Sequence, residues 1–202
     1  AGGITNLSFE YADALIFDLE DAVAPDQKIN ARNAAIHAVN SGAYGRRELF
    51  IRINSMDSPW GAEDARAVVK SKADAVLVPK VSEPKDLALV EGMMRAHGKS
   101  GDLGLWAMME TAKGILAADT IAKSSKCLSG YCMGTADLSM ELRCHHPADR
   151  TPMLMALQLV VIAARAHSML VLDGVHVDIT NIATFEAACR QGRSLGFDGK
   201  TL

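Results

Sequence analysis

Several things are scarce in this chain of 202 residues, and each shortage removes a class of function. Aromatic residues make up 5%, and 21 Lys and Arg face 24 Asp and Glu for a formal net charge of -3. That balance gives no basic face for nucleic acid and no cationic surface for an anionic membrane. The longest apolar stretch, Met153 to Ala164, is broken by Gln158 and is too short to span a bilayer. No signal peptide is visible, and Ala1–Gly2–Gly3 reads as a cut edge rather than a natural start. The four cysteines, Cys127, Cys132, Cys144 and Cys189, are too few for a disulfide framework, so reduced thiols in a cytoplasmic setting are expected. Cys127, Cys132 and Cys144 with His145 and His146 do not space like a zinc knuckle, and the first two fall on a strand, where cysteine is usually a small core residue.

What the chain has is alternation. Short apolar runs recur at Ala14–Phe17, Glu48–Ile53, Ala75–Pro79, Leu103–Met109, Leu128–Met133, Met169–Leu172 and Gly196–Leu202. They are mostly continuous, as parallel strands buried on both faces must be. Helical patterns lie between them. Asp26 to Val39 and Glu83 to His97 carry apolar residues at helical spacing. Thr151–Pro152 reads as an N-cap with a first-turn proline before Leu154, Leu157, Val160, Val161 and Ala164. Strand alternating with helix implies an α/β fold with a parallel sheet, and no linker or repeat divides the chain. A single domain over residues 1–202 is therefore expected. At about 31 residues per unit of an eight-stranded barrel, this length supplies six to seven units, and seven strands are counted. Asp18–Leu19–Glu20–Asp21 stands where a nucleotide-binding sheet would carry glycines, which favours the barrel.

In a barrel the residues ending each strand converge on one rim. Here they are Asp18, Glu20 and Asp21; Arg52 and Asn54; Lys80; Glu110 and Thr111; Asp137; Asp173; and Asp198. Some have ordinary explanations. Asp137 could cap the next helix, and Lys80 could be a solvated turn residue. Glu110 resists that reading, because Thr111 beside it already suits the cap. Arg52 lies between Ile51 and Ile53, where a permanent cation needs a carboxylate or a ligand opposite. His37, His145, His146 and His176 have no evident partners and read as surface or satisfied residues. Two carboxylates from adjacent strands with few histidines suit magnesium or manganese rather than zinc. Such a metal would act as a Lewis acid on an anionic substrate, and the arginine would stabilise developing negative charge. No nucleophile elbow is present. Carbon–carbon bond chemistry through an enolate and hydrolysis by a metal-bound water both remain open.

Seven short motifs in order carry a resemblance. They are Phe17–Asp18–Leu19–Glu20–Asp21–Ala22–Val23, Lys28 with Ala31–Arg32, Arg52–Ile53–Asn54, Val78–Pro79–Lys80, Met109–Glu110–Thr111, Gly134–Thr135–Ala136–Asp137–Leu138 and Gly196–Phe197–Asp198–Gly199–Lys200. Together they resemble the citrate lyase beta-subunit-like branch of the HpcH/HpaI aldolase superfamily, over almost the whole chain. The resemblance implies a (β/α)8 TIM barrel, usually a homotrimer, here lacking the first strand and the C-terminal helical lid. It implies magnesium-dependent cleavage or formation of a CoA thioester such as citryl-CoA or malyl-CoA, with a small 2-oxo acid as the other partner. By the same resemblance Glu110 and Asp137 bind the metal, Arg52 contacts substrate and steadies the acetyl-CoA enolate, and Glu20 and Asp21 support the metal from behind.

Two departures qualify what the resemblance implies. Relatives begin with an arginine–serine strand and end with a histidine–proline motif and a lid that brings an acid/base aspartate to a neighbouring subunit. Neither part is in this chain, so the proton-moving residue is expected outside it. The segment Glu141–Leu142–Arg143–Cys144–His145–His146 also replaces the usual leucine–glycine run, which leaves substrate choice open. Two alternatives stand beside the thioester lyase: a class II aldolase using a pyruvate enolate, and a non-catalytic barrel subunit of a complex.

Overall fold

The computed structural model describes residues 12–99, 102–176, 178 and 180–202; the expected cut edge Ala1–Gly3 lies outside them. Seven strands alternate with helices along this stretch. They are β1 (Ala14–Asp18), β2 (Glu48–Arg52), β3 (Ala75–Val78), β4 (Gly104–Met109), β5 (Leu128–Met133), β6 (Leu170–Asp173) and β7 (Gly199–Lys200). The helices are α1 (Lys28–Asn40), α2 (Gly61–Val69), α3 (Lys85–Ala96), α4 (Ala112–Ser124), α5 (Thr135–Glu141), α6 (Leu154–Ala166) and α7 (Ile182–Leu195). Short 3-10 turns at Pro25–Gln27 and Thr151–Met153 lead into α1 and α6. The expected Thr151 cap therefore opens that turn rather than α6 itself, and its side chain caps nothing.

Each strand pairs in parallel with the next in sequence, in the order β1-β2-β3-β4-β5-β6-β7. Because parallel crossovers are right-handed, an unbroken sequential order sends every helix to one face. The sheet then curls around the other face, as part of a barrel.

Two apolar clusters follow from this. The larger lies between sheet and helices and takes Leu49, Ile51, Val76, Val78, Leu105, Ala107, Met109, Tyr131, Met133 and Val171 from the strands. The smaller lines the concave face with Phe50, Ala75, Leu77, Trp106 and Cys132, joined by Ala14, Met108 and Leu172. Successive residues change cluster, as the period of two in a strand requires. The Phe50 and Trp106 rings meet edge to face at 5.2 Å across the concave side. Gly130 makes room for that indole, since a Cβ there would come within 2.5 Å of it. Outside, the buried Tyr131 hydroxyl donates to the Ala118 carbonyl at 2.6 Å, tying β5 to α4.

Among the described residues no ladder joins β7 to β1. By alternation Ile16 and Leu170 belong to the concave face, and they remain 37% and 51% exposed beside those two unjoined edges. No helix among the described residues is long and apolar enough to cross a membrane.

Candidate active site

The strands place Asp18, Arg52 and Glu110 on the concave phase at their carboxyl ends, because each lies two residues beyond a concave position: Ile16, Phe50 and Met108. Asp18 and Arg52 are in register on β1 and β2. Arg52 donates from Nε and Nη2 to the two Asp18 oxygens at 2.7 and 2.6 Å. Burial works against both charges, yet this fork outweighs it. Asp18 is held below the usual carboxylate range and Arg52 is driven further up. Using one edge of the guanidinium for Asp18 leaves Nη1 turned inward, 3.3 Å from Glu20 and 3.5 Å from the Met108 sulfur.

The turn after β1 carries the acidic group. Asp18 accepts from the backbone N–H groups of Glu20 and Ala22, which closes the turn. The buried Lys28 donates to the carbonyls of Leu19 and Glu20 at 2.8 and 2.6 Å and stands over the Trp60 ring at 5.6 Å. So fixed, Glu20 points inward and is 5% exposed. Its oxygens lie 2.9 Å from Lys80 Nζ and 3.3 Å from Arg52 Nη1, but neither is aligned as a hydrogen-bond acceptor. Burial raises its pKa, with the neighbouring Asp21 adding to the effect. Asp21 is exposed and 3.7 Å from Lys80.

Lys80 is not a plain turn residue. Its φ of 54° is a left-handed conformation that a lysine adopts at a cost. That bend aims its backbone N–H at Glu110 Oε1, 2.8 Å away, and its ammonium at Glu20. Glu110 Oε2 accepts no hydrogen bond from any described residue, and Glu110 is 2% exposed. The facing position just after β5 is Gly134, and a Cβ there would stand 2.2 Å from Oε2. The missing side chain is therefore what accommodates the carboxylate. Burial first, then the negative charges of Glu20 and Asp137, push Glu110 up to about 7, although the Lys80 N–H and Arg52 pull the other way. Asp137 is half-buried in the first turn of α5, where Gly134 and not Asp137 holds the cap position. Thr111 caps α4 by accepting from Gly114, which leaves Glu110 free of that duty.

The five site residues expected from sequence, Arg52, Glu110, Asp137, Glu20 and Asp21, thus act electrostatically on one another. Sequence reading missed three supports: Asp18 as the arginine's partner, Lys80 as the ammonium among the acids, and Lys28 as the clamp on the turn. Two other strand-end acids lie elsewhere. Asp173 follows the concave Leu172 by one residue, so it turns outward to Arg150 and Lys200. Asp198 precedes β7, at the opposite end of the sheet, where it accepts from Val171 N and Arg165. His146 is also not satisfied: its Nε2 is buried without a hydrogen-bond partner.

Unused oxygens and charge together fit a divalent cation. Among the described residues Asp18, Glu20, Asp21, Glu110 and Asp137 face two cations, Arg52 and Lys80, and Asp18 is already consumed by Arg52. Glu20 is ion-paired with Lys80 and Arg52, and Glu110 keeps one oxygen without a donor. An acidic excess of this kind is relieved by a cation. No group of three or more His, Cys, Asp and Glu placed to hold a metal occurs among the described residues. A donor set made of carboxylates alone suits magnesium, which takes one or two carboxylates and keeps its waters, better than zinc. Cys132, from the rejected zinc set, is a concave-face core residue whose thiol burial pushes up to about 12.

Comparison with known proteins adds to this geometry. The family model described as HpcH/HpaI aldolase/citrate lyase matches residues 3–202. A (3S)-malyl-CoA thioesterase of Cereibacter sphaeroides is 47% identical over 191 residues, 95% of this chain and 65% of that protein. The citrate lyase subunit beta of Escherichia coli is 38% identical over 201 residues, 96% of this chain and 67% of that protein. Among solved structures, the citrate lyase beta subunit of Mycobacterium tuberculosis complexed with oxaloacetate and magnesium superposes with a TM-score of 0.76 at 27% identity. It covers 93% of this chain and 80% of that one. The chain thus spans about two thirds of the length of the relatives it matches.

Proposed function

The chain belongs to the HpcH/HpaI aldolase/citrate lyase family, and from that premise we propose that it is the barrel of a magnesium-dependent carbon–carbon lyase acting on a CoA thioester of a small 3-hydroxy acid. The observation that carries this reading is the inward-facing Arg52 Nη1 beside Glu20, with the underused carboxylate of Glu110 on the same rim. Support for the ligands comes from relatives: one is named for malyl-CoA, and another was solved with oxaloacetate and magnesium.

Glu110 and Asp137 would hold the metal, with Glu20 and Asp21 behind them. When bound, the ion supplies a Lewis acid for the oxygens of an anionic substrate. In cleavage the hydroxyl proton leaves to a base and the carbon–carbon bond breaks. Its electron pair becomes the enolate of acetyl-CoA, which then takes up a proton. Arg52 is fixed by Asp18 before substrate arrives, so its free edge offers preorganised positive charge to that enolate. Lys80 holds Glu20 in place and tempers the acidic excess. The whole enzyme would be an eight-stranded barrel. Partly exposed Ile16 on the edge strand β1 and Leu170 on β6, next to the short β7, are compatible with a further strand there.

Hydrolysis of the thioester is the second reading, favoured by the name of the 47% identical relative. Incubation with malyl-CoA and magnesium separates the two. A lyase releases acetyl-CoA and glyoxylate, whereas a thioesterase releases free thiol and malate. Absence of glyoxylate from malyl-CoA and of oxaloacetate from citryl-CoA would sink the lyase reading. Condensation of pyruvate, but not of acetyl-CoA, with an aldehyde would point to the aldolase. No effect of magnesium on binding or stability would leave a non-catalytic barrel.

A further inference from the structure

On the outer side of β6, away from Arg52 and Glu110, a second group of charges is buried with its own cavity. Asp173 is fully buried and accepts from Arg150 Nη1 at 2.5 Å and from Lys200 Nζ at 3.3 Å. Lys200 also donates to the Gly174 carbonyl, and Arg150 Nε donates to Gln191 at 2.8 Å. A guanidinium and an ammonium therefore share one carboxylate. Arg150 is 3% exposed, and its Nη2 is buried without any hydrogen-bond partner. His146 Nε2 is a second buried nitrogen without a partner. Both residues line a cavity of about 190 Å³, together with Lys200 and His176 and the apolar Val175 and Ala188. His176 Nε2 is 3.1 Å from the Thr184 hydroxyl. The carboxylate of Asp178, also at the cavity wall, is exposed and turned to its own loop, where it accepts from Thr180.

A guanidinium that served packing alone would have its buried N–H groups filled, because an unsatisfied buried donor is costly. Here the unfilled donor belongs to a cation, and the neighbouring ammonium is held below its ordinary pKa. Burial is the first cause; Arg150 adds to it and Asp173 opposes it. The group lacks one negative charge and one acceptor, and the cavity lined by Arg150, His146 and Lys200 adjoins it. We propose that this cavity is a binding site for a small monocarboxylate, separate from the Arg52 site. One carboxylate spans the remaining donors, Arg150 Nη2 and His146 Nε2, and completes the charge balance with Lys200. Val175 and Ala188 then face its alkyl end. A flat two-oxygen acceptor matches the few donors left over, whereas a phosphate, with more oxygens and more charge, would leave acceptors without donors.

The test is calorimetric titration of the protein with sodium acetate in EDTA, with sodium phosphate as the second arm. EDTA keeps magnesium out of the first site, and Arg52→Ala removes the guanidinium that could take acetate there. One saturable acetate site per chain is expected. It should persist in Arg52→Ala and weaken at least tenfold in Lys200→Met and in His146→Ala. His146 takes no part in the Arg150–Asp173–Lys200 contacts, and an unchanged Tm of His146→Ala separates a loss of binding from misfolding. No saturable acetate uptake, equal affinity in His146→Ala, or tighter binding of phosphate than of acetate would each overturn the assignment. None of these results depends on whether the Arg52 site proves to be a lyase.

Discussion

The raised pKa of Glu110 makes the substitution Glu110→Gln informative beyond activity. The amide keeps the shape of the side chain and still accepts from the Lys80 N–H, so it isolates the charge. In the folded protein Glu110 titrates at about 7 against an ordinary value of 4.5, chiefly because it is buried beside Glu20 and Asp137. A group whose pKa is raised on folding contributes stability that is complete below its unfolded pKa and is lost as pH rises through the folded pKa. Glutamine has no such loss. That pKa difference corresponds to ~3 kcal/mol. Unfolding of both proteins in EDTA should therefore give curves that coincide near pH 4.5 and separate as pH rises. Above about pH 8 the Gln variant should be the more stable by ~3 kcal/mol, or roughly 6–12 °C in Tm for a chain of this size. Saturating magnesium should raise the wild-type Tm at that pH and leave the variant's unchanged. If the gap between the two proteins does not widen with pH, Glu110 is not the buried, charge-crowded group described, and its assignment to the metal falls with it.

Arg52→Ala should lower turnover by on the order of 10²–10³-fold while magnesium affinity stays near its wild-type value; equal loss of both would mean that the arginine only props up the metal ligands. The same change leaves Asp18 buried without its cation, so stability should fall by about 3–5 kcal/mol in urea unfolding. Gly134→Ala places a methyl group 2.2 Å from Glu110 Oε2, and magnesium binding followed by calorimetry should weaken at least tenfold. Unchanged affinity would show that Glu110 can move aside freely. Lys28→Met removes both N–H donors that clamp the acidic turn, so stability should drop by roughly 1–3 kcal/mol and hydrogen exchange of the Glu20 and Ala22 amides should quicken. Unchanged exchange there would remove Lys28 from the support of the site.

The strands were legible in the sequence because runs such as Ala75–Val78 are apolar on both faces, and a strand buried on both sides has no other composition open to it. The rim acids were legible for a related reason: a carboxylate that closes such a run stands out. The contacts that turn those residues into a site were not. Asp18 and Arg52 are 34 residues apart, and only the parallel register between β1 and β2 brings them opposite one another. Lys28 opens an ordinary helix, and nothing local shows that its ammonium folds back onto two carbonyls.

Strand phase, rather than strand end, separates the site from its surroundings. Asp18, Arg52 and Glu110 each lie two residues after a concave side chain and point inward. Gly134 occupies the same phase just past β5, two residues after Cys132, and contributes the space that Glu110 needs. Asp173 lies one residue after Leu172, so the alternation that brings the others together turns it out to Arg150 and Lys200. Counting acids at strand ends merges these two environments, and the parity of each position relative to its neighbours divides them. The division has a physical basis: successive side chains on a strand must take opposite faces. On one face the acids outnumber the cations, and on the other two cations share a single acid. One β-sheet therefore carries two groups of opposite electrostatic balance, one with acids in excess and the other with cations in excess.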